Sequence, residues 1–136
     1  MHLLIADDDS VYRELLEQML SGWGHEVTVV NDGQEAWDAL QRNSGFELAV
    51  IDWMMPNLDG FELCRKIRQD PVKAELYIIL MTGSRRKDEI IKVLVAGADD
   101  YLIKPFDPID LQIHLRTAQR ILTLQKQLAA RHVGAT

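Results

Sequence analysis

The sequence predicts an α/β fold, a doubly wound parallel sheet of five strands alternating with five helices. Three observations carry this. Short runs of consecutive apolar residues recur along the chain. Between them lie stretches in which apolar residues return every three or four positions. Two of the apolar runs stop abruptly on aspartate. A strand that is apolar at every position has both faces buried, as in a parallel sheet covered by helices on each side. The strand–helix alternation then requires right-handed crossovers, and such sheets bind ligands at the carboxyl ends of their strands.

The elements follow in order. Leu3-Leu4-Ile5-Ala6 is the first strand and ends on Asp7-Asp8-Asp9. From Ser10, Val11, Leu15, Leu16, Met19 and Leu20 give a helix that Gly22 and Gly24 stop; Ser10 could cap it, and Asp9 takes that role once Asp7 and Asp8 are read as site residues. Glu26 to Val30 is the second strand, and Asp32-Gly33 opens a helix with Ala36, Trp37, Ala39 and Leu40 on one side. Leu48 to Ile51 repeats the first strand's pattern and ends on Asp52. The next helix carries Phe61, Leu63, Cys64 and Ile67 until Asp70-Pro71 terminates it. Tyr77 to Met81 is the fourth strand, followed by Thr82-Gly83-Ser84. A helix from about Lys87 to Ala96, a fifth strand at Tyr101 to Ile103, and a last helix from Pro108 with no breaker before Gly134 complete the chain.

At 136 residues with 47% apolar content, the chain is long enough for one self-sufficient core. The single cysteine, Cys64, forms no internal bridge and sits among apolar neighbours. The opening segment lacks a basic, long apolar leader, and no apolar run has the length of a membrane span, so a cytoplasmic protein is expected. The net charge is −6, and it is uneven. Every acid lies at or before Asp110, whereas the remaining residues carry Arg116, Arg120, Lys126 and Arg131 and no acid. An acidic body argues against direct nucleic-acid binding and for a bound cation.

The strand ends hold the chemistry. Asp7, Asp8 and Asp9 follow the first strand, Asp52 the third, Thr82 the fourth and Lys104 the fifth. Carboxylates gathered in one small site repel each other and are best tolerated around a divalent cation. All-oxygen ligands favour Mg²⁺ over zinc or iron. A lysine and a hydroxyl beside them add donors for an anion with several oxygens, which phosphate fits best. The bland readings differ by residue. The aspartate triplet could cap a helix, Thr82-Gly83 could be an ordinary turn, Tyr101 could be core, and Arg85-Arg86-Lys87 could coat the start of an exposed helix. The four histidines lack metal-ligand spacing.

Taken together and in order, Asp7-Asp8, Asp52 in Val50-Ile51-Asp52-Trp53-Met54-Met55-Pro56, Asp59-Gly60, Thr82-Gly83 and Lys104-Pro105 resemble the receiver domain of two-component response regulators, over about residues 2 to 122. That resemblance implies a flavodoxin-like sheet of strand order 2-1-3-4-5. It implies that Asp52 accepts a phosphoryl group from a sensor histidine kinase or phosphotransfer protein. Mg²⁺ would be held by Asp7, Asp8, Asp52 and the backbone carbonyl of Met54. Thr82 and Lys104 would contact the phosphoryl oxygens, and Thr82 and Tyr101 would form the switch. It also implies a cis Lys104-Pro105 bond. Trp53 is expected to point away from the acid pocket. Met54 and Ser84 match positions that tune dephosphorylation in this family, and neither is a water-positioning acid or amide. The chain would then be a phosphoacceptor catalysing its own phosphotransfer, not an enzyme acting on a separate substrate.

Two rivals are a receiver fold signalling through unphosphorylated contacts, and a haloacid-dehalogenase-like phosphohydrolase. The second would want an acid where Met54 stands. Domain organisation is expected as a receiver over 1–122 and a helical extension over 123–136, leading to an absent output domain such as a diguanylate cyclase or pairing with its copy. The dimer surface would comprise the fourth helix, fifth strand and fifth helix, with Ile121, Leu124 and Leu128 as an apolar stripe on the extension.

Overall fold

Val, Ile and Leu fill the strands because both faces of each central strand are covered. The computed structural model describes residues 1–134, with side chains described through Arg131. Its strands are β1 (His2–Ala6), β2 (Glu26–Val30), β3 (Leu48–Asp52), β4 (Tyr77–Thr82) and β5 (Asp100–Ile103). Its helices are α1 (Ser10–Gly22), α2 (Gly33–Arg42), α3 (Gly60–Gln69), α4 (Lys87–Val95) and α5 (Pro108–Gly134). The strands pair in parallel in the order β2-β1-β3-β4-β5. By contacts the chain divides into a unit from Met1 to Phe106 and a second from Asp107 onward.

Within the first unit, strand alternation sorts the core. Leu4, Ala6, Ala49, Ile51, Ile78 and Leu80 pack with Ala36 and Leu40 of α2, Leu63, Cys64 and Ile67 of α3, and Val93 of α4. Their strand neighbours Leu3, Ile5, Leu48, Val50, Ile79 and Met81 are equally inaccessible. On β1 and β2, α1 lies against the sheet and buries Leu16 and Leu20. Burying each such side chain contributes about 1.5–3 kcal/mol. Burial also pushes the Cys64 thiol up to about 12, so it stays a protonated core residue.

Register decides what meets at the sheet's upper edge. Ala6 pairs with Ile51, which sets Asp7 level with Asp52; Asp52 pairs with Met81 and Thr82 with Ile103. The backbone N–H of Lys104 donates to the Thr82 carbonyl at 2.8 Å, tying the two last strand ends together. The Lys104-Pro105 bond is cis, as the resemblance implied.

Three loops are fixed by side chains the strands deliver. Asp9, rather than Ser10, caps α1, accepting from the Val11 N–H at 2.9 Å. Ser10 is already helical, so it cannot also serve as the extended cap residue. Asp32 and Glu35 form a reciprocal capping pair at α2, accepting from the N–H groups of Glu35 and Asn31. The β3–α3 loop is then pinned from both ends. Asn57, at a left-handed φ of 70°, donates from its amide to Asp32 at 2.8 Å. A side chain at Gly33 would collide with the Leu58 carbonyl, and one at Gly60 with the Asp52 carbonyl.

Arg68 is a clasp that no sequence pattern announced. It donates to the carbonyls of Gly97, Ala74 and Leu76 and pairs with Asp99 at 2.6 Å, while Asp99 accepts from the Ile78 N–H. The second unit is α5, whose start is capped by Asp107 accepting from the Asp110 N–H at 3.0 Å. Along it Leu111, Leu115, Ala118 and Leu122 are buried, and every side chain from Thr123 to Arg131 is exposed. Its final residues, including His132 and the chain end at 135–136, lie outside the described side chains. Among the described residues no helix is long and apolar enough to cross a membrane.

Candidate functional site at the strand ends

Burying a polar side chain is costly unless something uses it. Among the described residues, the buried polar or charged side chains are Asp7, Asp52 and Thr82, three of the residues singled out from sequence. They stand together because parallel strands in register deliver all three to one edge of the sheet.

Lys104 organises the cluster. Its Nζ donates to Asp7 Oδ2 at 2.8 Å and lies 3.3 Å from Asp52 Oδ1, with the lysine side chain only 16% exposed. Asp7 is held from two further directions: its Oδ1 accepts from the Asp9 N–H, and its carbonyl accepts from Arg13 Nη1, both at 2.9 Å. Thr82 Oγ1 accepts from the Ser84 N–H at 3.1 Å, fixing the hydroxyl at the end of β4.

The electrostatics follow from this crowding. Burial, and then the charge of Asp7, push the Asp52 carboxyl up to about 6, with Lys104 pulling the other way. Burial alone would lower Lys104, but its hydrogen bond to Asp7 and the charges of Asp52 and Asp7 hold it above its ordinary value. The site thus carries more negative charge than one lysine neutralises. Asp7, Asp8 and Asp52 each offer a carboxylate oxygen, all within 4.8 Å of one another, and Asp8 is exposed. The donors are all oxygen, the set a hard divalent cation such as Mg²⁺ takes.

Beside the cluster is a cavity of about 370 Å³ bounded by Asp52, Thr82, Met54, Ser84 and, from α4, Glu89 and Lys92. Trp53 also borders it, with its ring packed against the core cluster. Its ring stacks with Phe61 of α3, centroids 6.5 Å apart, and this contact holds its orientation. Met54 projects its side chain outward, 75% exposed. Tyr101 is half-buried against the core cluster. Arg86 pairs with Asp88 on the exposed start of α4, in keeping with the bland reading of that basic run. Sequence reasoning missed Tyr12 and Arg13, whose partners on β5's end and β1's end become visible only once the fold is closed.

Residues 3–116 match the family model of the response regulator receiver domain. This chain belongs to that family. The receiver domain is 38% identical over 109 residues to a chemotaxis protein CheY homolog of Campylobacter jejuni, covering 79% of this chain and 84% of the relative. Among solved structures it is similar to the receiver domain of sensor histidine kinase PA1611 from Pseudomonas aeruginosa, which has a magnesium ion coordinated in its active-site cleft. That match has a TM-score of 0.79 and 32% identity, over 90% of this chain and 97% of the other. A two-component system response regulator/GGDEF domain protein matches with a TM-score of 0.84 and 28% identity, over 90% of this receiver domain and 50% of that protein.

Proposed function

We propose that this receiver domain accepts a phosphoryl group on Asp52 from a phosphohistidine of a sensor histidine kinase or phosphotransfer protein, and that the modified domain changes which partner it binds. The observation that carries the reading is Lys104, just past β5, set between Asp7 and Asp52 at the ends of the buried strands β1 and β3, with Thr82 buried at the end of β4. A buried carboxylate faced by a lysine, a hydroxyl and a cavity open to a donor is suited to in-line attack on phosphorus.

Asp7, Asp8, Asp52 and the Met54 carbonyl would hold Mg²⁺, which when bound supplies positive charge to the phosphoryl oxygens. The protein's own residues do the rest. One Asp52 oxygen attacks phosphorus; the P–N bond to the donor imidazole breaks, and the electron pair stays on that nitrogen. Lys104 exchanges its carboxylate contacts for a phosphoryl oxygen, and Thr82 donates its hydroxyl to another. Tyr101 then turns inward as Thr82 moves. Reversal of the switch needs water at phosphorus, and at the two positions best placed to orient it stand Met54 and Ser84. The domain works in the cytoplasm on this reading, and its acidic body does not bind nucleic acid directly.

Incubation with a small phosphodonor and Mg²⁺ should raise the intact mass by one phosphoryl group, about 80 Da. The gain should vanish in Asp52→Asn, in Asp8→Ala and without Mg²⁺. A gain that persists in Asp52→Asn overturns the assignment. No gain in the native protein favours a receiver that signals through unphosphorylated contacts.

The receiver would span 1–122, ending with Leu122, the last buried residue among the described side chains of α5, and 123–136 would form an extension. Leu124 and Leu128 are 53% and 68% exposed there, which suits pairing with a second copy or continuation into an output domain. They would support a dimer whose formation depends on phosphorylation. Sedimentation should show self-association that Leu124→Glu weakens; identical monomers for native, phosphorylated and variant protein at tens of micromolar would refute it.

A further inference from the structure

The ammonium group of Lys104 has three N–H donors, and the two carboxylates account for two directions around it. A third direction is covered by an aromatic ring. Tyr12, on the first turn of α1, places its ring centroid 4.0 Å from Lys104 Nζ. This ring is itself braced by Phe106, centroids 5.9 Å apart at an angle of 49°. Phe106 lies two residues past Lys104, so the stretch that carries the lysine also supports the ring that covers it.

We propose that Tyr12 is a positioning residue for phosphoryl transfer, holding the Lys104 ammonium over the acid cluster by the negative face of its ring while the lysine changes hydrogen-bond partners. The proposal rests on the reading of Asp52 as phosphoacceptor. A hydrogen bond fixes a donor along one line. The ring's attraction needs the cation over its face but no particular N–H direction, so Lys104 can release Asp52 and turn toward a phosphoryl oxygen without leaving the site. The ring also takes the place of water on that side of the cation, in agreement with the lysine's low exposure. Water there would screen the charge as it meets the transferring group. No proton or covalent bond of Tyr12 takes part.

The competing reading is that Tyr12 merely fills space against Phe106. Three variants separate the two. Tyr12→Phe keeps the ring face, whereas Tyr12→Leu and Tyr12→Met keep apolar bulk without it. The readouts are the rate of Asp52 phosphorylation by a small phosphodonor at saturating Mg²⁺, the Mg²⁺ affinity, and the NMR ring-current shift of the Lys104 ε-methylene. For Tyr12→Phe we expect a rate within about twofold of native and a retained ring-current shift. For the leucine and methionine variants we expect the shift to be lost and the rate to fall about tenfold, with Mg²⁺ affinity unchanged, since the acids hold the ion. Equal rates in all four proteins would overturn the role of Tyr12, as would a Phe variant as slow as Leu. A native protein that takes up no phosphoryl group overturns the phosphoacceptor reading instead; the NMR shift still reports whether ring and lysine are in contact.

Discussion

Lys104→Met should destabilise the metal-free receiver by about 3 kcal/mol at pH 8, because breaking a buried ion pair on one side leaves the other charge uncompensated. Methionine matches the length of the lysine stem, so packing is largely kept and the lost charge dominates. The uncompensated group is Asp7, which is fully buried, with Asp52 close by and also buried. Two carboxylates without their cation can recover by sharing a proton, so the loss should shrink toward pH 5. Urea unfolding of native and variant protein in chelator, at both pH values, measures this. A second arm separates charge from packing: in an Asp52→Asn background, Lys104→Met should cost less, because one of the carboxylates is already neutral. A loss under 1 kcal/mol at pH 8 would mean that solvent reaches these carboxylates after all. The same substitution should slow phosphorylation of Asp52 by about 10² or more, the scale of removing one charge-stabilising donor from a transition state.

This dependence on one lysine explains why so much of the site was legible in the sequence. The apolar runs Leu3–Ala6 and Leu48–Ile51 must be central strands, because only a strand buried on both faces has that pattern. An aspartate that ends each run must then lie at the carboxyl edge. Which neighbour stands opposite depends on strand order, and that came from the family resemblance. Local signals leave two residues competing for one role until the site is recognised. Asp9 and Ser10 can both cap a helix, and the backbone places Asp9 in the extended conformation that the role requires. Thr82 is the last residue of β4 instead of the first of a turn, since it pairs with Ile103. The features missed altogether are tertiary. Arg68 gathers carbonyls from two loops, Trp53 turns to stack on Phe61, and Tyr12 meets a lysine 92 positions away in sequence; no spacing encodes such pairs.

Asp52→Asn should stabilise the metal-free protein, by an amount that grows with pH. The carboxyl of Asp52 sits near 6 in the folded chain against 3.8 as its ordinary value, so between those values the folded state binds more protons than the unfolded one. Stability carried by the protonated form is therefore complete below about pH 4 and is lost as pH rises through about 6. The displacement corresponds to about 3 kcal/mol by pH 8. Asparagine cannot ionise and avoids that loss, the attraction from Lys104 at 3.3 Å being already contained in the raised value; a gain of up to about 3 kcal/mol is expected at pH 8 and close to none at pH 4. Mg²⁺ should offset most of that difference. Binding to the folded native protein at one hundred times its dissociation constant adds about 2.7 kcal/mol, while the variant, short of one ligand charge, gains much less. Unfolding curves across pH 4 to 8, with chelator and then with Mg²⁺, test both expectations. A variant less stable than native at pH 8 in chelator would mean that Lys104 outweighs burial and Asp7 at this carboxylate. The site would then be built around the Lys104–Asp52 pair, not held under charge strain for a cation and a phosphoryl group to relieve.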